Sequence, residues 1–422
     1  MKLKKMMVTT LLMSGLLVGC GTKNTPQENA SVSGEITVIT NRTDNDKQFK
    51  EMEKTFIEAY PEVTKVTFEN IGDYDGTMMT RMNSGDYGDV LFIPFSMAGN
   101  RSDYPNYFES LGTTSDLEST YLDVYEADYD GQVYGLPAAL NSLGFIYNDR
   151  VLKEAGISEV PTTMDAFIND LETIKEKTDT TPFATNYHAV AMWAGSLTSF
   201  GGEQFKSATL DKGDAFAEGQ PIRDVMDLFY TLSSKGLIEQ DPITTDPQTA
   251  FKELADGKVA MLMHGSQEVS TVQSMTKDPI SIMNFPVQTN GKTNLAIGAP
   301  DVIGINKHSD NMETSKAFVN FFLSDNSGYV KALNGMPNLK ADLTDEQKQT
   351  IDDSHVILTV AKETPEVNAT YSAIADEVGV TRLTDVLQQV INIGLYPDKN
   401  ISYEDYVEQL SEQWQTAAKN HE

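Results

Sequence analysis

Asp130–Asn148, DGQVYGLPAALNSLGFIYN, decides how the chain divides. Asp130-Gly131 is a turn signal, Gly135 and Pro137 punctuate the run, and Leu143 to Tyr147 is an apolar stretch short enough for a buried strand. The material on either side reads as two separate α/β units, so the stretch is expected to cross from one lobe to another. A chain that leaves one α/β unit and enters the next by an extended segment leaves a cleft at the crossing, where small ligands usually bind. An ordinary strand-turn-strand inside one domain fits the same residues.

Upstream, Ile36 to Ile39 alternates as a strand, ends at Thr40-Asn41-Arg42, and feeds a helix with Phe49, Met52 and Phe56 at helical spacing before Pro61. Val66 and Phe68 mark a second strand, and Met78, Met79 and Met82 a second helix. Val90 to Ile93 is a continuous apolar run, as parallel strands have when covered on both faces. Strand, helix, strand, helix, strand is a doubly wound start. It places ligands beyond the carboxyl ends of the strands, here Asn41-Arg42-Thr43-Asp44 and Pro94-Phe95-Ser96.

Downstream, Thr162 or Thr163 caps a helix with Met164, Phe167, Ile168, Leu171 and Ile174 on one face. Asp246-Pro247 starts another that carries Phe251 and Leu254. The strand Val259 to Met263 reaches His264-Gly265-Ser266, and Ile280 to Phe285 is a further strand closed by Pro286. Gln288 to Pro300, rich in Asn, Thr and Gly, reads as a second break between lobes, and Gly335-Met336-Pro337-Asn338 as a third. Between them Asp301 to Ile305 resumes as a strand before a helix with Ala317, Phe318, Phe321 and Phe322. The tail is helical, with one stripe of Leu383, Val386, Leu387 and Val390 and another of Tyr406, Val407, Leu410 and Trp414. The expected N-terminal lobe is 35–140 with 298–335, and the C-terminal lobe 141–297 with 336–422.

The first 20 residues read as a secretory signal peptide: Lys2, Lys4 and Lys5 are a basic start, Met6 to Val18 an apolar core, and Leu17-Val18-Gly19 precedes Cys20. As a helix that core reaches only about 20 Å, short of a hydrocarbon layer of roughly 30 Å. Cys20 is the only cysteine, so disulfides within the chain are excluded. Gly21 to Gly34 is polar and rich in breakers, as a flexible tether would be. No later segment is apolar enough to span a membrane. The 32 basic and 62 acidic residues give a net charge of −30, which argues against nucleic acid or an anionic membrane surface as a direct partner. Roughly 390 residues after the tether exceed what one core usually holds.

The small residue before Cys20 resembles the lipobox of bacterial lipoproteins, whose cysteine carries the lipid; a plain secreted protein is the alternative. With that lipobox, ITVITN, SGDYGDVLFIP, the Asp130–Asn148 run, AGISEVPTTMDAF, DGKVAMLMHGS and SKAFVNFFLS, the chain resembles the bacterial extracellular solute-binding proteins that deliver sugars to ABC importers, the family of maltose-binding proteins. The likeness covers essentially the whole mature chain. It implies a two-lobed α/β periplasmic-binding-protein fold (type II), with a carbohydrate in the interlobe cleft and hinge closure around it. It also implies docking on an ABC permease, and a monomer held by lipid on Cys20 at the extracellular face of a membrane of Gram-positive type.

Carried over by position, the resemblance puts Asn41, Arg42 and Asp44 at the cleft, and Phe95 and Ser96 there too, at the end of the DVLFIP strand. Asn141 stands where maltose-type relatives have an acidic sugar ligand; its amide keeps hydrogen bonding and removes the charge. Tyr187 and Trp193 fall where relatives keep aromatic platforms. His264 and Ser266 stand at a position where relatives have tryptophan, and the late helix near Thr381 also lacks one.

Sugar recognition needs flat aromatic faces against the C–H side of a pyranose and planar side chains that donate and accept to its hydroxyls. Trp193, beside Ala191, Met192 and Ala194, has no clear helical stripe, and reads either as a stacking ring or as core. Trp414 lies three and four residues from apolar partners and reads as packing. His264 is a cleft hydrogen-bonder or a satisfied half-buried histidine. Arg42 and Asp301 are cleft residues or solvated loop charges. Asp44-x-Asp46 lacks the glycine and glutamate register of a calcium loop. No GxSxG, HExxH or phosphate loop is present, and the five histidines show no metal spacing, so neither cofactor nor catalysis is expected. The competing classes are a polyol or peptide binder and a lipoprotein glycosidase with paired carboxylates.

Overall fold

The computed structural model describes residues 31–43, 46–244, 247–289, 291–353 and 355–421, and from Val32 onward these belong to one compact unit. Its strands form two main sheets. In the first, the order is Val63–Asn70, Gly34–Thr40, Val90–Phe92, Val302–Ile305, Gly135–Pro137. The first three run parallel, and Val302–Ile305 lies antiparallel to both its neighbours. Val38, Ile39 and every residue of Val90–Phe92 are buried, because helices cover the sheet on both faces. Phe49, Met52 and Phe56 of the helix Asp46–Ala59 face this core, as does Met78 of Tyr74–Ser84.

The second sheet is built around Asn141–Asn148, with Val259–Gly265 antiparallel on one side. On the other side it pairs with Ile280–Met283 and with the end of Lys292–Gly298. Thr181–Ala184 extends the sheet beyond Val259–Gly265, in parallel. Phe167, Leu171 and Ile174 of the helix Met164–Lys177 pack against it, and the Thr163 hydroxyl caps that helix by accepting from the Ala166 N–H. The late helices Thr384–Leu395 and Tyr403–Asn420 complete the same core, with Trp414 fully buried in it.

One break read from the sequence is corrected. Most of Gln288 to Pro300 is not a loop, because Lys292–Gly298 is a strand paired in parallel with Val356–Thr359. Its Asn and Thr content suits a position where Asn294 donates from its side-chain amide to the Ser199 carbonyl and the Thr289 hydroxyl, each at 2.9 Å.

The chain passes between the two sheets over a few residues each time. Pro137 is in the first sheet and Asn141 in the second; Gly298 is in the second and Val302 in the first. A third passage lies alongside: the N–H groups of Leu140 and Met336 donate to each other's carbonyls at 2.8 and 2.7 Å. Asn338 accepts from the Asp123 N–H and donates to its carbonyl, both at 2.9 Å. A small cluster of Leu140, Leu295, Ile297 and Val360 sits under these passages and gives them a shared apolar footing.

Candidate functional site

Where the passages meet, a cavity of 370 Å³ lies between the lobes. Phe95 and Glu126 line it from the first lobe, Asn141 and Ser142 from the passage, and Thr198 and Gln267 from the second lobe. A second cavity of 150 Å³ opens beside it in the first lobe and shares Phe95, Glu126, Ala299 and Pro300 with it. Three larger hollows, of 870, 610 and 410 Å³, are also present. The first is a trough on the second lobe along Thr163, Asp224 and Lys235, the second borders the interlobe cavity at Ser142 and Ile297 and reaches His355, and the third lies along Asp214, Arg223 and Ser411. None receives a residue from the strand ends of the first lobe, where a doubly wound sheet presents its ligand site.

Phe95 follows the strand Val90–Phe92 and Pro94, begins the 3-10 turn Phe95–Gly99, and is 82% exposed. A phenyl ring left in water at a cavity mouth offers its face to an apolar surface. Ser96, on the same turn, is exposed and lines neither cavity.

Asn141 Oδ1 and Gln267 Oε1 are both shielded from solvent without a hydrogen-bond partner, and both residues line the interlobe cavity. A buried acceptor left unpaired costs about 1–3 kcal/mol, which a ligand hydroxyl recovers. Gly335 leaves room beside Asn141: a Cβ on Gly335 would lie 3.3 Å from the Asn141 Oδ1 and 3.1 Å from the Ala139 Cβ. The strand end itself is tied down, since the Ser266 N–H donates to the Ser142 carbonyl at 2.8 Å and the Ser142 N–H to the Ser266 hydroxyl at 3.2 Å.

Glu126 is half-buried and accepts a hydrogen bond from the Ala299 N–H of the second passage. Burial raises its pKa, against the opposing pull of Arg101, that N–H and Lys206. Lys206, in the helix Phe205–Lys212 of the second lobe, has its pKa lowered by burial and by Arg101, while Glu363 and Glu126 act the other way. Behind Glu126, Asp123 is wholly buried, with Oδ2 unpartnered, and burial pushes its carboxyl well above the usual range.

Arg42 and Asp301 form a structural pair. Arg42 donates from Nε and Nη2 to Asp301 Oδ2 at 2.9 and 2.6 Å, and the Tyr329 hydroxyl donates to the same oxygen at 3.1 Å. Burial opposes the charge on Arg42 and Asp301 overrides it, so the guanidinium pKa is raised. Asn41 is exposed and lines the smaller cavity, as does Asp301 with its second oxygen outside the pair. Asp44 lies outside the described residues.

Three expectations are corrected. Trp193 is 1% exposed, with Phe229, Phe285 and Phe145 rings at 4.8, 5.6 and 6.0 Å, so it has no face for a ligand. The segment Tyr187–Ser196 is 3-10 helical, and at three residues per turn Tyr187, Val190, Trp193 and Ser196 fall on one face, all of them buried. Tyr187 therefore belongs to the same core and lines neither cavity. His264 alternates away from the cleft: its ring meets Phe251 edge-on at 5.0 Å, Nδ1 has no partner, and burial lowers its pKa with Glu268 opposing. Gln267, three residues on, takes the cleft position instead. Neither Glu126 nor Gln267 had been singled out from the sequence.

Among the described residues no cluster of three or more His, Cys, Asp or Glu side chains is placed to hold a metal, and no helix is long and apolar enough to cross a membrane.

The profile of the bacterial extracellular solute-binding proteins matches residues 40–328, and the chain belongs to that family. It is 26% identical over 77% of its length to the maltooligosaccharide ABC transporter solute-binding lipoprotein of Streptococcus pneumoniae, covering 77% of that protein. It is 28% identical over 51% of its length to the diacetylchitobiose binding protein of Streptomyces coelicolor, spanning only 51% of that relative. The BlMnBP1 binding protein of an ABC transporter from Bifidobacterium animalis subsp. lactis, solved in complex with mannobiose, superposes with a TM-score of 0.75 at 26% identity, over 92% of this chain and 95% of that one. The two-lobed α/β architecture expected from the motifs is the one this neighbour has.

Proposed function

We propose that this protein is the substrate-binding component of an ABC importer, capturing a saccharide between its lobes and handing it on unaltered. The observation that carries the reading is that Asn141 and Gln267, whose Oδ1 and Oε1 are shielded and unpartnered, line one cavity together with the exposed Phe95. Stacking surface plus planar amides and a carboxylate is the chemistry that a sugar's C–H face and hydroxyls require. The saccharides in the names of the relatives, maltooligosaccharide and diacetylchitobiose, and the mannobiose bound by the structural neighbour, support the same class.

Binding acts on the lobes because its groups come from both. A ligand that touches Phe95 and Glu126 on one side and Thr198 and Gln267 on the other binds the closed arrangement better and shifts the population toward it. In the present arrangement the turn Phe95–Gly99 already packs on the helix Pro365–Val378, and Lys362 Nζ lies 5.1 Å from the Tyr125 ring. The permease then reads the closed form. Lipid on Cys20, which lies outside the described residues, would hold this monomeric receptor at the extracellular face. Catalysis is not part of the role.

Titration calorimetry of the mature protein against mono- and oligosaccharides, polyols and peptides tests this, with chromatography of each bound compound. Micromolar binding, about −8 kcal/mol, of a saccharide recovered intact is expected. Binding confined to peptides or polyols, or hydrolysis of the bound sugar, would contradict it.

A further inference from the structure

We infer that Asp123 is a proton-operated lock on the hinge: the closed arrangement of the lobes holds its carboxyl neutral, and loss of that proton favours the open one. The inference leans on the saccharide reading above only for the ligand used to test it.

Asp123 stands where the first lobe is fastened to the third passage. Its N–H donates to Asn338 Oδ1 and its carbonyl accepts from Asn338 Nδ2. The Leu122 N–H donates to the Asn338 carbonyl at 2.9 Å, and Tyr121 bridges to Leu339. The side chain of Asp123 is wholly buried: Oδ1 accepts from the Tyr125 N–H at 2.8 Å, while Oδ2 is shielded from solvent with no partner. An ionised carboxylate needs donors at both oxygens, so an Oδ2 without one, in a dry place, is where a carboxylic acid keeps its proton.

The neighbouring cations are spent elsewhere. From the turn Arg101–Asp103, Arg101 Nη1 donates to the Tyr125 carbonyl and to Asp128 Oδ1, both at 2.7 Å. From the second lobe, Lys362 Nζ lies 3.3 Å from Glu203 Oε1. Burial, and then the charges of Glu126 and Asp128, raise the Asp123 pKa, and Arg101 and Lys362 oppose them without reversing the direction.

Tyr125 carries the link across the lobes. Its N–H holds Asp123 Oδ1, its carbonyl holds Arg101, and its ring lies 5.1 Å from Lys362 Nζ of the second lobe. The next residue, Glu126, lines the interlobe cavity. Parting the lobes withdraws Lys362 and opens this loop to water, which solvates an ionised Asp123; closing them takes the proton up again. The closed arrangement therefore loses ground as pH rises from the ordinary carboxylate range through the raised value, and no further above it.

The test is calorimetry of the best-binding saccharide across pH in the parent, Asp123→Asn and Glu126→Gln, with small-angle X-ray scattering of each protein without ligand. Asparagine keeps an acceptor for the Tyr125 N–H and does not titrate. From about pH 5 to about pH 8, parent affinity is expected to fall at least about fivefold and that of Asp123→Asn to change less than about twofold. Glu126→Gln, altered at the cavity wall, should bind more weakly throughout yet keep the parent's slope. The radius of gyration should grow with pH in the parent and stay constant in Asp123→Asn. A flat parent profile, an Asp123→Asn profile as steep as the parent's, a slope lost only in Glu126→Gln, or a parent radius that ignores pH would each overturn the inference. If no saccharide binds at any pH, the saccharide reading itself falls, and the scattering alone decides the proton link.

Discussion

Asp301 Oδ2 accepts both Arg42 Nη2, at 2.6 Å, and Arg42 Nε, at 2.9 Å, and this fork joins the turn after the first strand to the passage that returns the chain from the second lobe. Asp301 is only 4% exposed, so its charge depends on that partner. Arg42→Met would leave a buried carboxylate with the Tyr329 hydroxyl as its remaining side-chain donor, and stability should fall by about 3 kcal/mol in urea titration. An unchanged midpoint would mean the pair contributes little and the passage is held elsewhere.

Phe95 and Trp193 should respond in opposite ways. Phe95→Ala removes a ring that water already reaches, so the melting temperature should hold while saccharide affinity drops at least tenfold, about 1.4 kcal/mol. A large fall in stability with intact affinity would place Phe95 in packing instead.

Trp193→Ala opens a hole among Phe145, Phe229 and Phe285 and should cost about 3–5 kcal/mol of stability. The fraction that remains folded should bind saccharide as the parent does. Loss of affinity with full stability would return Trp193 to the cleft.

Gln267→Leu keeps the bulk at the interlobe cavity and removes the amide, and should weaken the best-binding saccharide about tenfold or more in calorimetry. Equal binding by parent and variant would mean that Gln267 Oε1 meets no ligand hydroxyl.

The carboxyl of Asp123 gives a pH prediction. Burial raises its pKa, Glu126 and Asp128 act in the same direction, and Arg101 and Lys362 oppose. The folded state therefore holds a proton that the unfolded chain releases, and stability falls as pH rises from the ordinary carboxylate range through the raised folded pKa. Asp123→Asn should be more stable than the parent at neutral pH, with the gain vanishing near pH 4, in thermal unfolding across pH. A variant less stable at every pH would show that the ionised carboxylate is needed where it stands.

Much of the architecture was legible because apolar spacing reports burial directly. Phe49, Met52 and Phe56, or Phe167, Leu171 and Ile174, are buried where their periodicity put them. The Asp130–Asn148 run does pass from one sheet to the other, with Pro137 and Asn141 on opposite sides of the passage. The cleft was less legible for separate physical reasons. Trp193 sits in a 3-10 segment whose three-residue repeat hides its stripe from a search at helical spacing. Glu126 is one of 62 acidic residues, and only its place beside the Ala299 N–H distinguishes it. The strand Lys292–Gly298 is polar because its Asn294 bonds across to other segments, a reason that lies in the fold and not in its own pattern.

The central claim is that a saccharide is gripped between the lobes at the passages, and hydrogen–deuterium exchange with and without the best-binding saccharide tests it most directly. Protection is predicted at 95–99 in the first lobe, at 265–267 in the second, and at 140–143 and 296–300 between them. Protection confined to one lobe, or appearing along Thr163, Asp224 and Lys235 on the outer trough, would contradict the account.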